Sequence, residues 1–400
     1  MHNSRYASAS RHSRTRWWGL AAVLLSTAGL GLAYGIGYTV TSLRLDSWGA
    51  PGWLVGLAGA APSLAVVLLV PLVPRLAARL GTVPTMVAGG AIVGATFLLM
   101  PVLEGTWWWV LLRFVSDLGL TLPWLVGETW INTVVPDRVR GRVLALYAML
   151  LFTGWAVGPV VLERTGTEVW SPYLVGTAAT LLMCVPLLAA RRLAPAVPAH
   201  QGLTLRGAVA LAPLAMAAAA VGGVAEFGWI SLLPSYALDA GTGTSLALRL
   251  LTAFLVGGLL LQLAVGWLAD RLDRLRLLGS LGVALAVTST LFALAVARGP
   301  VAVLAAALLG GVAMGFYAVG LTVLGERVPA TSLATANGAF LVSYEAGATV
   351  GPVAGGVALD VWPPHGLVVL VAIVGVVLAA GVRVVRRRPE PGPAPVPCRA

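Results

Sequence analysis

Five ionisable side chains stand inside stretches of sequence that are otherwise apolar. They are Arg113, Asp117, Glu128, Glu226 and Glu345. At the middle of a bilayer such a group costs about 2.5–3.5 kcal/mol, so each needs a partner or water. Carboxyls that alternate between protonated and ionised forms can carry protons, and an arginine can hold an anion. These residue types therefore indicate proton transfer, or the binding of a charged solute, at membrane depth.

Glu226 is the preferred candidate for a proton site. Ala225, Phe227, Gly228 and Trp229 flank it, and no basic residue lies within one helical turn. Burial disfavours the charged form of a carboxyl. Glu226 is therefore predicted to take up and release protons. The alternative interpretation is a neutral carboxyl that is hydrogen-bonded to a neighbouring helix.

Arg113 and Asp117 are one helical turn apart, so the two side chains can pair on one face. One interpretation is a structural ion pair that offsets its own burial. The other is functional: Arg113 anchors an anionic substrate, or is released when Asp117 is protonated, which makes Asp117 a second proton-site candidate. The spacing alone does not choose between them.

Two further glutamates have different predicted roles. Glu345 stands beside Tyr344 in the middle of a stretch, and it is interpreted as either a proton site or a packing residue. Glu128 lies two turns before Pro136, which is about 12 Å of helix at 1.5 Å per residue. Glu128 is therefore interpreted as a gate residue near one end of its helix.

The apolar stretches that carry these groups are long enough to cross a bilayer. The chain of 400 residues is 58% hydrophobic and 10% charged, whereas a soluble domain carries about 25% charged residues. A spanning helix needs about 20 apolar residues, and the predicted fold class is an all-α membrane protein with twelve transmembrane helices. The predicted spans are 17–41, 52–74, 84–103, 107–133, 142–162, 171–190, 207–236, 246–268, 277–297, 300–324, 334–358 and 366–385.

A set of glycines and prolines occurs twice in the chain. Gly154, Gly158 and Pro159 in the first half return 193 residues later as Gly347, Gly351 and Pro352. Pro136 and Pro329 keep the same offset. A duplicated block of six spans is typical of transporters whose two halves rock about a central site.

The arginines predict the orientation and the domain organisation. All 26 basic residues are arginine; 21 fall in loops on one side, four on the other, and Arg113 lies in a span. The positive-inside rule therefore places both termini in the cytoplasm. The net charge of +11 is assigned to contact with anionic lipid headgroups and not with nucleic acid. The predicted parts are a basic tail (1–16), a first bundle (17–190), a cytoplasmic linker (191–206), a second bundle (207–385) and a Pro-rich disordered tail (386–400).

The repeated six-span pattern and one loop signature resemble the major facilitator superfamily over residues 17–385. The loop signature is Gly266, Asp270, Arg271 and Arg274. In the first half only Arg79 and Gly81 match it, and Ala78 stands where the aspartate is usual. The resemblance implies that Arg79, Asp270, Arg271 and Arg274 serve as a cytoplasmic latch. It also implies that Glu128 meets Arg79.

A finer resemblance is to the YcaD-like branch of that superfamily, which brings no established substrate. The residues that carry it are Leu43-Arg44-Leu45-Asp46, Gly127-Glu128-Thr129-Trp130-Ile131-Asn132, Arg140-Gly141-Arg142 and Tyr147. Gly154, Gly158 and Pro159 are similar to a motif associated with antiporters. Helix packing and bending are the alternative interpretation of that motif, because its second copy is equally good.

The superfamily fold implies that spans 1, 4, 7 and 10 line a central cavity. Four of the five buried ionisable residues are on those spans. Aromatic residues on them could stack on an organic substrate, although single aromatics are more often core residues. These aromatic candidates are Tyr34, Tyr38, Trp124, Trp130, Trp229, Tyr236 and Tyr317.

The expected function is secondary active transport of a small organic solute by alternating access. Proton coupling is favoured because the chain has no Gly-rich phosphate loop for a nucleotide. Export is preferred because Gly154, Gly158 and Pro159 are similar to the motif associated with antiporters. The alternatives are a proton-linked importer of a sugar or organic anion, an uncoupled facilitator, and a membrane receptor or enzyme.

Other classes of site are not expected from the composition. The four histidines lie in predicted tails or loops, and no metal or nucleophile constellation is visible. Cys184 and Cys398 do not indicate a disulfide framework. We expect no cofactor, no metal and no enzymatic activity. The partners expected are a solute, protons and lipids, for a monomer in the cytoplasmic (inner) membrane.

Overall fold

A computed structural model describes residues 2–167, 170–195, 212–328 and 332–387, with the backbone alone for 2–16. Thirteen α-helices make up most of this described part. The first seven are α1 (His2–Ser47), α2 (Gly52–Leu69), α3 (Val73–Leu80), α4 (Thr82–Leu99), α5 (Thr106–Val134), α6 (Asp137–Thr165) and α7 (Ser171–Ala189). The other six are α8 (Pro213–Asp239), α9 (Thr244–Arg271), α10 (Arg274–Ala295), α11 (Pro300–Arg327), α12 (Leu333–Val361) and α13 (Gly366–Arg387).

Eleven helices of the described residues are long and apolar enough to cross a membrane. This confirms a multi-pass, all-α membrane protein. The remaining long helix, α12, has 29 residues but is rich in glycine and alanine and carries Ser343, Tyr344 and Glu345. It packs against α2 and α8, so small and polar residues suit its position. The count of twelve spans stays a prediction.

Several helix boundaries differ from the predicted spans. The second span was expected to continue to residue 74, but α2 ends at Leu69 and a separate helix, α3, begins at Val73. Pro71 explains the break, since proline lacks the N–H that a continuing helix would bond. At its basic end, α1 extends over the predicted N-terminal tail. The Pro-rich tail from 388, most of the linker and Pro329 lie outside the described residues.

The same helix pairs recur in the two halves, α1–α7 and α8–α13. In the first half α1 packs against α6, and α4 against α7. The equivalent pairs of the second half are α8 with α12, and α10 with α13. The packing therefore supports the internal duplication that the sequence offset predicted.

Glycines allow the closest of these helix contacts. A Cβ atom built on Gly154 would lie 2.7 Å from the carbonyl oxygen of Ala28, and one on Gly351 would lie 2.5 Å from that of Val224. Gly158 and Gly347 are packed at least as tightly, against Gly35 and Ala220. Any side chain at these positions would clash with backbone atoms. Both copies of the motif thus lie where two helices touch.

The two halves touch each other at one end, where α1 passes into α2. There the hydroxyl oxygens of Ser42 and Ser235 are 3.3 Å apart. The carboxylate of Asp360 accepts hydrogen bonds from the backbone N–H groups of Gly52 and Trp53, at 2.6 and 2.9 Å. We call this the α1–α2 end. All of these bonds join one half to the other.

Candidate functional site

A central cavity of about 270 Å³ lies between the two halves. Five helices supply most of its wall: α2, α5 and α6 from the first half, and α8 with α12 from the second. Single residues of α1, α9 and α11 complete it: Tyr34, Gln262 and Tyr317. The cavity lies between the two bundles, where a rocking motion would expose it to either side.

Three glutamates line the central cavity, and each comes from a different helix. Glu128 is on α5, Glu226 on α8 and Glu345 on α12. Glu226 and Glu345 are each 3% exposed. Among the cavity-lining residues of the described part, none is an arginine or a histidine. The wall of the cavity therefore offers carboxyls without a countercharge.

Two of these carboxyls accept hydrogen bonds from aromatic neighbours. The hydroxyl of Tyr344 donates to Oε2 of Glu226 over 2.6 Å. The indole N–H of Trp124 donates to Oε1 of Glu128 over 3.1 Å. Both donors are themselves cavity residues. Each bond fixes one carboxyl oxygen in place, so the orientation of the acid does not depend on solvent.

The acids are distributed unevenly over the duplicated scaffold. Subtracting the repeat offset of 193 from Glu226 gives Ala33, and from Glu345 it gives Phe152. The first half thus has apolar side chains at both equivalent positions. The cavity acid of the first half, Glu128, lies on α5, which is the equivalent of neither α8 nor α12.

Aromatic side chains form most of the remaining wall. Of the residues predicted from the sequence, Tyr34, Trp124 and Tyr317 line the central cavity. Five further aromatic residues line the cavity but were not predicted to do so. Four of them lie on the flanking helices α6 and α12, and the fifth follows Glu226 directly: Tyr147, Phe152, Trp155, Tyr344 and Phe227. The ring of Trp155 stacks on that of Tyr34, with centroids 5.4 Å apart.

Arg113, Asp117 and Tyr38 are placed away from the central cavity, toward the α1–α2 end. Arg113 and Tyr38 line a small second cavity together with Ser42. An amino nitrogen of Arg113 lies 3.0 Å from Oδ1 of Asp117, and its guanidinium carbon lies 4.3 Å from the centre of the Tyr38 ring. The contact with Asp117 lacks hydrogen-bond alignment. Arg113 and Asp117 are 1% and 0% exposed, so their pairing is wholly internal.

Trp229 is brought to neither cavity. It is fully buried in the second half, where its ring meets those of Tyr236 and Phe292 edge-on, at 5.3 Å from each. Trp229 lies almost one turn after Glu226, and that rotation turns it toward α10. The sequence placed it on the correct helix but could not fix which side of α8 it occupies.

The predicted latch residues lie at the end opposite to the α1–α2 end. Arg79 is exposed on α3, and among the described residues it forms no ion pair with Glu128. Arg274 pairs with Glu326 at 2.7 Å, and Arg271 lies over the ring of Trp267 at 4.0 Å. Those two contacts stay within the second half. Asp270 is exposed beside them.

The chain is similar to curated bacterial transporters. It is 26% identical over 335 residues to an uncharacterised transporter of the major facilitator type, YcaD, from Escherichia fergusonii, a match that covers 83% of this chain and 86% of that protein. This confirms the resemblance to the YcaD-like branch. The match brings no substrate with it.

Two solved structures share the fold. The nucleoside transporter NupG superposes with a TM-score of 0.73 at 15% identity over 93% of this chain and 100% of that chain. A bacterial homologue of the human lysosomal transporter Spinster, inward-facing and unoccupied, gives 0.74 at 16% identity over 94% of this chain and 99% of that chain.

A comparison with a family model assigns both halves of the chain to one family. The model for the Major Facilitator Superfamily matches residues 17–251 and 240–397, which include both halves and every residue that lines the central cavity. Together with the repeated helix pairs and the cavity between them, this match shows that the chain belongs to the major facilitator superfamily.

Proposed function

We propose that this protein is a secondary active transporter that moves a small organic solute by alternating access, coupled to protons. The observation that carries the proposal is the carboxyl-lined cavity between two similar halves of six long helices each. A group of buried acids that face a cavity can be reached by water or solute, which is how such groups are tolerated at membrane depth. The cavity is of a size for a small organic molecule.

The contacts between the halves support one particular conformation. Ser42, Ser235 and Asp360 join the halves at the α1–α2 end. With both termini in the cytoplasm, as the arginine distribution predicts, this end faces outward. The state would then be closed outside, with the cavity reached from the cytoplasm. Twelve spans, in the inner membrane of the cell, complete this proposal, and the unit is a monomer.

Proton coupling rests on Glu226 and Glu345. Both are almost fully buried in the wall of the central cavity, and protonation removes the cost of moving them between states. Asp117 is the third candidate, but Arg113 beside it supplies a fixed countercharge. A potential of 100 mV provides about 2.3 kcal/mol for each proton moved. An inward proton gradient would then drive export of the solute.

The proposal is tested in two steps. A deletion strain is first screened against a metabolite library for altered sensitivity or accumulation, which identifies a solute. The purified protein is then reconstituted in proteoliposomes that contain a pH dye. Solute-driven proton flux is expected for the unmodified protein and should be lost in Glu226→Gln. Transport of the solute without proton flux would contradict the coupling, and the absence of any transported solute would contradict the function.

A further inference from the structure

The chemistry of the central cavity selects among solutes. We infer that the cavity takes an aromatic or otherwise apolar organic cation, and that this cation and a proton occupy the same carboxyls in turn. The inference rests on the proposed transport function and specifies its substrate class. It follows from charge, from the aromatic wall, and from the position of Arg113.

The first step is charge. Glu128, Glu226 and Glu345 all face one space of about 270 Å³, and no arginine or histidine of the described residues lines it. The chain has no lysine. An anion entering this space would meet carboxyls with no cation to balance it, whereas a cation would supply the missing countercharge.

The second step is a hydrogen-bonding group that is poorly satisfied. Ser63 lines the same cavity from α2, and its side chain is 1% exposed. Its hydroxyl lies near the Glu345 carboxyl but makes no hydrogen bond of normal geometry with the described residues. A buried polar group without a well-aligned partner costs free energy. A ligand with an N–H or carbonyl group would satisfy it beside the carboxyl that balances the ligand's charge.

The third step is the aromatic wall. Trp155 stacks against Tyr34 and meets Phe227 edge-on. Tyr344 meets Phe227 and Tyr317, with ring centroids 5.9 and 4.9 Å apart. Aromatic faces attract organic cations, most strongly where water is excluded. A cavity that combines such faces with carboxyls favours a cation with an apolar body over a small inorganic ion.

The fourth step concerns the arginine that could have held an anion. Arg113 lines the second cavity and not the central one. Its guanidinium is held between the Tyr38 ring and the Asp117 carboxylate. Its charge is therefore already engaged, away from the glutamates. An organic anion would have to displace Asp117 to reach it.

Exchange follows from shared occupancy. A carboxyl that binds the cation must first release its proton, and the proton leaves to the water on the open side. Protonation of the same carboxyl on the other side then displaces the cation. The remaining titratable groups that face the cavity are the hydroxyls of Tyr34, Tyr147, Tyr317 and Tyr344, which are neutral at physiological pH. Among the described residues, the glutamates are therefore the groups that carry the exchange.

Calorimetry on the purified full-length protein in detergent tests the charge preference without any mutation. The probe is benzylammonium, a cation at neutral pH with one aromatic ring and N–H groups that can reach Ser63. Benzoate and benzamide are the matched anion and neutral molecule. The cation is expected to bind about tenfold more tightly than either. Equal or tighter binding of benzoate or benzamide, or no binding of the cation, would overturn the inference.

Variants locate the binding. Glu226→Gln and Glu345→Gln are each expected to weaken the cation about tenfold. Glu104→Gln, an exposed carboxyl in the turn before α5, should leave binding unchanged. Each variant must elute as a single species in gel filtration, and if one does not, the comparison of the three probes on the unmodified protein decides. Cation binding that survives both cavity variants would overturn the proposed site.

Different results would contradict the proposed substrate class and the proposed transport function. If a neutral or anionic solute from the library drives proton flux in proteoliposomes, the cation inference is wrong and the transport function stands. If no solute of any charge drives flux, the proposed function itself is wrong. A cationic solute that drives flux opposite in direction to its own movement supports both.

Discussion

Ser42 and Ser235 face each other across the two halves with their hydroxyl oxygens 3.3 Å apart, and they are separated by 193 residues. That separation equals the offset of the repeated glycine motif, so the two serines are equivalent residues of the two halves. A residue can meet its own equivalent only near the axis that relates them. The pseudo-twofold axis therefore passes beside this pair, at the α1–α2 end.

Replacing Asp360 by asparagine should weaken the closed α1–α2 end. The carboxylate accepts two backbone N–H bonds at the start of α2, and loss of such a cap costs about 1 kcal/mol, a shift of about fivefold in a two-state equilibrium. The labelling rate of Thr41→Cys by a maleimide, with Cys184 and Cys398 replaced by serine, should rise accordingly. Glu104→Gln is the control. An unchanged rate would mean that Asp360 does not hold the halves together.

Replacing Gly158 by alanine should destabilise the protein, because the added methyl group would meet the backbone of α1 at Gly35. Overpacking of this kind costs about 1–3 kcal/mol. Gly325→Ala is the matched control, since nothing lies within 4 Å of a Cβ atom there. Thermal unfolding in detergent should show a lower midpoint for the first variant and an equal or higher midpoint for the second. Equal midpoints would contradict the close approach of α1 and α6.

Replacing Tyr344 by phenylalanine should slow transport about tenfold or more, because the hydrogen bond to Glu226 is lost. The substitution keeps the ring that contacts Phe227 and removes only the hydroxyl that donates to Glu226. A hydrogen bond to a charged group contributes about 1.5–3 kcal/mol. Tyr173→Phe removes another tyrosine hydroxyl that bonds a backbone carbonyl, at Thr167, and should leave the initial rate of transport unchanged. The same rate for both variants would separate the hydroxyl of Tyr344 from the mechanism.

Replacing Arg113 by glutamine should distinguish a structural ion pair from one with a role in transport. The change leaves the carboxylate of Asp117 buried without its countercharge, which costs about 3–5 kcal/mol. The double variant Arg113→Gln with Asp117→Asn should recover most of this loss in thermal unfolding. Transport by the double variant close to that of the unmodified protein would confirm a structural pair. Stable folding with no transport would assign the Arg113–Asp117 pair a role in transport.

Much of the architecture could be predicted from the sequence, because spanning helices depend on long apolar runs. The duplicated glycines indicated close helix packing, and the structure places it at the pairs α1–α6 and α8–α12. The acids Glu226 and Glu345 were also visible, since a charge in an apolar run is conspicuous and must face something polar. The interruption at Pro71 was not predicted, because hydropathy alone does not register a missing N–H.

The wall of the cavity was predicted only in part. Tyr34 and Tyr317 lie on helices that the family fold assigns to the cavity, whereas Trp155 and Tyr147 lie on α6, which that rule leaves out. Trp229 shows the second difficulty, because depth along α8 can be read from the sequence but rotation about its axis cannot. The expected contact of Arg79 with Glu128 does not form, because Glu128 lines the central cavity whereas Arg79 is exposed on α3, and no sequence pattern specifies either orientation.

The uneven placement of acids on the duplicated scaffold has a mechanical consequence. Glu226, Glu345 and the Tyr344 hydroxyl all belong to the second half. The positions of the first half that are equivalent to the two glutamates hold the apolar residues Ala33 and Phe152. If the halves rock as proposed, Glu226, Glu345 and Tyr344 move together, and the hydrogen bond from Tyr344 to Glu226 need not break. Among the described residues, Glu128 is the one cavity carboxyl that would move with the first half.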